Sequence, residues 1–160
     1  MIYLFIVIQC ILFIFMALHD WIDIPPFTNL TALKKAHSLK FRLLGSLVNA
    51  TFVLVPLIVT FFYLGLPLPL WARLFFVSIY GLMTFGSITA WWIPYFGGGY
   101  WIHGNKAGFE EYRDTHFFLP TRGDNVVPNT LHVILHIQIW IICFGLSLYW
   151  LCIGDGWYDP

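Results

Sequence analysis

Four apolar stretches, at about residues 2–18, 41–65, 70–95 and 129–153, take up most of this 160-residue chain. Each approaches the ~20 residues an α-helix needs to cross a hydrocarbon core. In that medium a backbone must satisfy its own N–H and C=O groups, so helices and closed barrels alone can span it. With 59% hydrophobic and 10% charged residues, against about 25% charged in an average globular protein, a soluble core of this length could not hide the apolar surface. The expected fold is therefore all-α: a polytopic integral membrane protein, a four-transmembrane-helix bundle forming one membrane domain over residues 1–160. Its larger polar connections are expected at 19–40 and 96–128.

Local signals place the ends. His19-Asp20-Trp21-Ile22-Asp23 and then Pro25-Pro26 close the first helix, because proline cannot continue one. Leu33, His37, Phe41 and Leu44 keep a helical spacing that lets the second helix begin near Thr31, and Pro56 predicts a kink within it. Pro128-Asn129-Thr130 is a start signal for the fourth. The N-terminal stretch has neither a basic n-region nor a small-x-small cleavage motif, so the first span is expected to stay. A short helix along the membrane is expected over Lys106 to Phe117.

Charge sets the orientation. Lys34, Lys35, Lys40 and Arg42 lie between the first two spans, and Lys106, Arg113 and Arg122 between the last two. Arg73 stands alone on the opposite side. The positive-inside rule then puts the two larger loops in the cytoplasm and both termini outside, in a cell or inner membrane. Trp21, Trp91, Trp92, Tyr95 and Trp101 are expected to form the inner aromatic belt, and Trp71, Tyr149, Trp150 and Trp157 the outer one. The formal net charge is zero, and eight scattered basic residues make no stripe for nucleic acid. Cys10, Cys143 and Cys152 form no C-x-x-C pair and read as apolar filler.

Histidines carry the chemistry. His132-Val-Ile-Leu-His136 puts two imidazoles on one helix face, about 6 Å apart along the axis. Such a pair suits a first-row metal, zinc or iron, and polar groups at that depth often mark a site. The competing reading is hydrogen bonding between helices, to Asn49 or Ser46. The pattern resembles one histidine box of membrane fatty-acid desaturases and hydroxylases, but the His-His doublets of those families are absent and the resemblance ends at five residues. At the end of the first span, Met16, His19 and Asp23 share a face. Arg42, Ser46 and Asn49 form a stripe on the second span, where Arg42 either holds an anionic group or snorkels. His116, followed by Phe117, Phe118, Leu119 and Pro120, is drawn toward the membrane surface. Glu110 and Asp114 read as solvated, and His37 and His103 as surface residues. There is no G-x-S-x-G, H-E-x-x-H or Glu-x-x-His pair, and Gly99 to Lys106 misses the P-loop pattern by one residue.

These readings converge on a small membrane-embedded enzyme acting on a lipid or other hydrophobic substrate at the cytoplasmic interface. His132, His136 and His19 are the expected metal ligands, His116 and Asp23 the catalytic groups, and Arg42 and Asn49 the substrate-binding ones. Membrane lipids are the expected surroundings. Haem between His19 and His132 or His136 is a less favoured alternative. An ion or proton transport component and a structural or assembly subunit are the rivals. The outer halves of the spans are apolar apart from Gln9 and Thr60, which argues against a continuous pathway.

Overall fold

The computed structural model describes residues 2–98, 112 and 114–153. All regular structure among them is helical: α1 (Ile2–Leu18), α2 (Leu30–Ala36), α3 (Leu39–Phe62), α4 (Leu70–Ser87), α5 (Ile93–Gly97), α6 (Thr130–Ile137) and α7 (Gly145–Ile153). Two π-helical segments, Ile88–Trp92 and Gln138–Phe144, join α4 to α5 and α6 to α7. The continuous runs Leu39–Phe62, Leu70–Gly97 and Thr130–Cys152 are long and apolar enough to cross a bilayer, and they mark this as a membrane protein. Among the described residues there are three such helices, where four were expected. The 17 residues of α1 give about 25 Å at ~1.5 Å per residue, short of a ~30 Å core.

Capping explains where the second apolar stretch begins. The helical spacing through His37 is broken there: His37 is extended, Ser38 takes the N-cap of α3, and its hydroxyl accepts from the Phe41 N–H. Asn29 caps α2 in the same way through Ala32 N. Two local caps outweigh the longer periodicity. Pro94 sits in the first turn of α5, directly after the first π segment. A widened turn accommodates a ring that an α-turn would push against the preceding carbonyls.

Packing sets the order of helices in space. α1 lies between α3 on one side and the Gln138–Phe144 segment on the other, and α4 packs against the fourth apolar run. Phe5 is fully buried at the centre. It makes edge contacts with Phe76, Tyr80 and Trp150 at ring separations of 5.8, 6.0 and 4.7 Å. Gln9 donates its amide to Tyr80 Oη at 2.7 Å beside them. Trp150, expected in an outer aromatic belt, is 1% exposed and belongs to this core. Although α3 and α4 are consecutive, they scarcely touch beyond the short connection between them. They diverge from it and leave a gap.

Candidate functional site

A cleft of about 630 Å³ fills that gap at the end of the bundle away from the α3–α4 connection. Its wall includes His19, Arg42, Asn49, Trp91, His132 and His136. Five of these six were singled out by the sequence, and they come from three separate segments of chain. Gly45 on α3 and Gly86 on α4 also line it. A Cβ at either position would meet nothing within 4 Å, so the walls there face open space.

Hydrogen bonds fix the two histidines of α6 in opposite tautomers. Asn129 caps the helix, and its Oδ1 accepts from His132 N at 3.0 Å, while its Nδ2 donates to Thr115 Oγ1 at 3.0 Å. The amide orientation is thereby assigned. His132 Nδ1 lies 2.7 Å from the same Oδ1, so in a neutral ring Nδ1 carries the proton and Nε2 the lone pair. His136 is the reverse. Its Nδ1 accepts from the Trp92 indole at 3.0 Å, and an indole can only donate, so Nε2 holds the proton. The rings are 6.0 Å apart. His132 also rests on Trp91 at 3.9 Å and His136 lies parallel to Trp140 at 5.8 Å.

The indoles reach across between the π segments. Trp92, closing the first, bonds His136 just before the second. Trp140, inside the second, donates to Ser87 Oγ at 2.6 Å just before the first. π-helical turns often sit at functional sites because they redirect side chains that an α-helix would send elsewhere.

On the opposite wall, His19 Nδ1 faces the Phe15 carbonyl at 3.1 Å and Nε2 faces Asp20 Oδ1 at 3.1 Å. Both are acceptors, so either ring nitrogen has a partner to which it can donate. The ring pairs with Asp20 and not with Asp23, because α1 ends at Leu18 and the i,i+4 spacing is lost in the turn. Arg42 is 6% exposed. Its Nη2 donates to the Asp20 carbonyl at 2.7 Å, its guanidinium stacks 4.5 Å from the Trp21 ring, and its Nε is buried with no hydrogen-bond partner. Ser46 accepts from Trp21 Nε1 at 2.9 Å, so it holds the stacking partner of Arg42 and not a histidine.

The two expected catalytic residues lie outside the cleft wall. Asp23 Oδ1 accepts from Leu30 N at 3.1 Å and from Thr28 Oγ1 at 3.3 Å, tying the turn to the start of α2. His116 is clamped between loops: its N donates to Pro26 O at 2.8 Å, its carbonyl accepts from Thr130 N at 2.9 Å, and its Nδ1 lies 2.7 Å from Thr130 Oγ1. Both use polar groups to order loops. Nor does the structure assemble the expected metal triad. Among the described residues no three His, Cys, Asp or Glu side chains come together as ligands. A metal needs a lone pair on each imidazole, and the Nδ1 lone pair of His136 is taken by the Trp92 indole. Trp91, Trp92 and Asn129 hold the histidines in place. Asn129, three residues before His132, is a cap signature readable in the sequence. Trp101, His103, Lys106, Glu110, Glu111, Arg113, Trp157 and most of the expected 106–117 helix lie outside the described residues.

Comparison with known proteins finds no matching family model, curated protein or solved structure. The functional reading therefore rests on the geometry of the cleft.

Proposed function

We propose that this protein is a small membrane-embedded enzyme that acts on a lipid or similarly hydrophobic substrate by acid–base chemistry between His132 and His136. One observation carries the reading: two imidazoles on one cleft wall, held in opposite tautomers by Asn129 and Trp92. His132 Nε2 can take a proton from a water or hydroxyl as it attacks. His136 Nε2–H can give a hydrogen bond to the oxygen on which charge develops, and the proton held by His132 can then pass to the departing oxygen as the attacked bond breaks. The gap between α3 and α4 supports access from the side, from within the bilayer, where such a substrate resides.

In this reading α1 is the fourth span. Tilt and local thinning absorb its short length at modest cost. The cleft lies at the cytoplasmic interface, beside Lys34, Lys35, Lys40 and Arg42, and both termini lie outside. Reporter fusions at both ends should give an external signal; a cytoplasmic signal from either would invert the arrangement.

The enzymatic reading is tested by incubating the reconstituted protein with vesicles of a total membrane-lipid extract and following lipid masses. Turnover of one lipid class is expected. Gly45→Leu combined with Gly86→Leu should cut it at least about tenfold, a ~1.4 kcal/mol effect. The added side chains enter open space and replace glycine with a better helix former, so the fold should be retained. Unchanged lipid masses with the wild-type protein would sink the reading.

A further inference from the structure

We infer that the Arg42 end of the cleft is a subsite for the anionic headgroup, phosphate or carboxylate, of a membrane amphiphile whose tail leaves through the gap between α3 and α4. The inference rests on the proposed lipid substrate and narrows it to one chemical class.

Arg42 is an unusual cation. A guanidinium taken out of water is costly unless its donors and charge are both met. Arg42 is 94% removed from solvent, being 6% exposed. One donor reaches a backbone carbonyl, the flat face rests on Trp21, and Nε is buried without a partner. Among the described residues no carboxylate lies within ion-pair distance of it. Snorkelling, the commoner role for an arginine near a membrane surface, would place the head in water. Here the head is buried beside a cleft. Arg42 is also oriented in advance: Trp21 fixes the plane of the guanidinium, and Ser46 fixes Trp21. A fork held in this way suits the paired oxygens of a phosphate or carboxylate.

The surrounding charge agrees. Asp20 is the carboxylate on the cleft wall, and its partner is His19 at 3.1 Å. That carboxylate is engaged by the imidazole and is not an ion-pair partner of the guanidinium. The rest of the wall is suited to a hydrocarbon chain. Phe41, Met83, Leu135 and Ile139 line it together with Gly45 and Gly86. Phe41 is also largely exposed on the outside of α3, so the apolar surface continues from the cleft to the lipid. A volume of about 630 Å³ falls within the ~300–1,000 Å³ of small-ligand pockets. It fits a headgroup with the start of a chain, the remainder lying in the bilayer. The same cleft is lined by His132 and His136.

The test uses the full-length protein in nanodiscs of zwitterionic lipid, with binding read from tryptophan fluorescence, since Trp21 is in contact with Arg42. The probes are phosphatidic acid and oleate, their uncharged counterparts diacylglycerol and methyl oleate, and inorganic phosphate alone. The anionic amphiphiles are expected to bind about tenfold or more tighter than their neutral counterparts, the usual weight of a charge-assisted hydrogen bond. Arg42→Met should abolish that preference while leaving the neutral probes unchanged, and Arg42→Lys should restore part of it. If Arg42→Met fails to fold, the headgroup comparison in the wild type and Arg42→Lys decides the matter. Equal binding of charged and neutral probes would overturn the headgroup subsite, and with Gly45→Leu/Gly86→Leu abolishing both, the lipid cleft itself would stand. Inorganic phosphate binding as tightly as phosphatidic acid would overturn the amphiphile and leave a free-anion site. Probes that bind equally to the wild type and the glycine variants would overturn the cleft reading as well.

Discussion

Lipid turnover should fall by about 10²–10⁴-fold, the usual weight of a general acid or base, when His132 is replaced by phenylalanine or His136 by asparagine. The substitutions are chosen to spare the fold. His132→Phe keeps an aromatic ring against Trp91, 3.9 Å away in the native protein, but has no nitrogen to accept a proton. His136→Asn keeps an acceptor near the Nδ1 position for the Trp92 indole and removes the donor at Nε2. Truncation to alanine would be less informative at His136. It would orphan a buried indole N–H, at roughly 1–3 kcal/mol, and mix a folding defect with a chemical one. Two folded, monodisperse variants that turn lipid over at the wild-type rate would eliminate the base and its partnering hydrogen-bond donor and leave His132 and His136 as bundle glue.

The largest loss of stability is expected from Phe5→Ala. A helix that leaves its neighbours inside a bilayer remains in an apolar medium, so the transfer part of the usual penalty disappears. What remains is the cavity, roughly 2–3 kcal/mol for ~100 Å³ at ~24 cal/mol per Å³. The lost edge contacts with Phe76, Tyr80 and Trp150 add to this, at about 0.5–1.5 kcal/mol for each such pair. Unfolding in mixed micelles by a denaturing detergent measures it. Ile14→Ala, at an exposed position on the same helix, is the control and should change little. Similar losses from both would mean that Phe5 is not the centre of the packing.

Much of this molecule was legible in the sequence, for a reason that also sets the limits. Apolar stretches long enough to cross a bilayer declare themselves, and an ionisable residue within one tends to turn inward. That logic singles out Arg42, His132 and His136, which line one cleft with Asn49 and with His19 at the end of α1. Asp23 and His116 lie off that wall, because loop residues meet backbone groups close at hand and settle there. The same logic says less about the tryptophans. An indole has both an apolar body and a donor, and sequence position alone does not tell a belt residue from Trp92, which orients a histidine, or from Trp150, which fills the core. Pro94 hints at the widened turn before it. The Gln138–Phe144 segment has no proline, and its backbone geometry follows from contacts between spans that no local pattern encodes. The length of α1 was legible too, but an apolar run reads the same at 17 residues as at 20 until its ends are capped.

The reciprocal reach of the two indoles has a consequence for how this chain can change. Trp92 grips one neighbour and Trp140 grips the other, so the paired wide turns act as a clasp with two hooks. Dropping one residue from either turn would rewind it and swing the adjoining half-helix by about 100°, unfastening both hooks together. Insertions and deletions at this level are thus tolerated only as matched events on both strands of the clasp, whereas the lengths of the outer ends can drift independently.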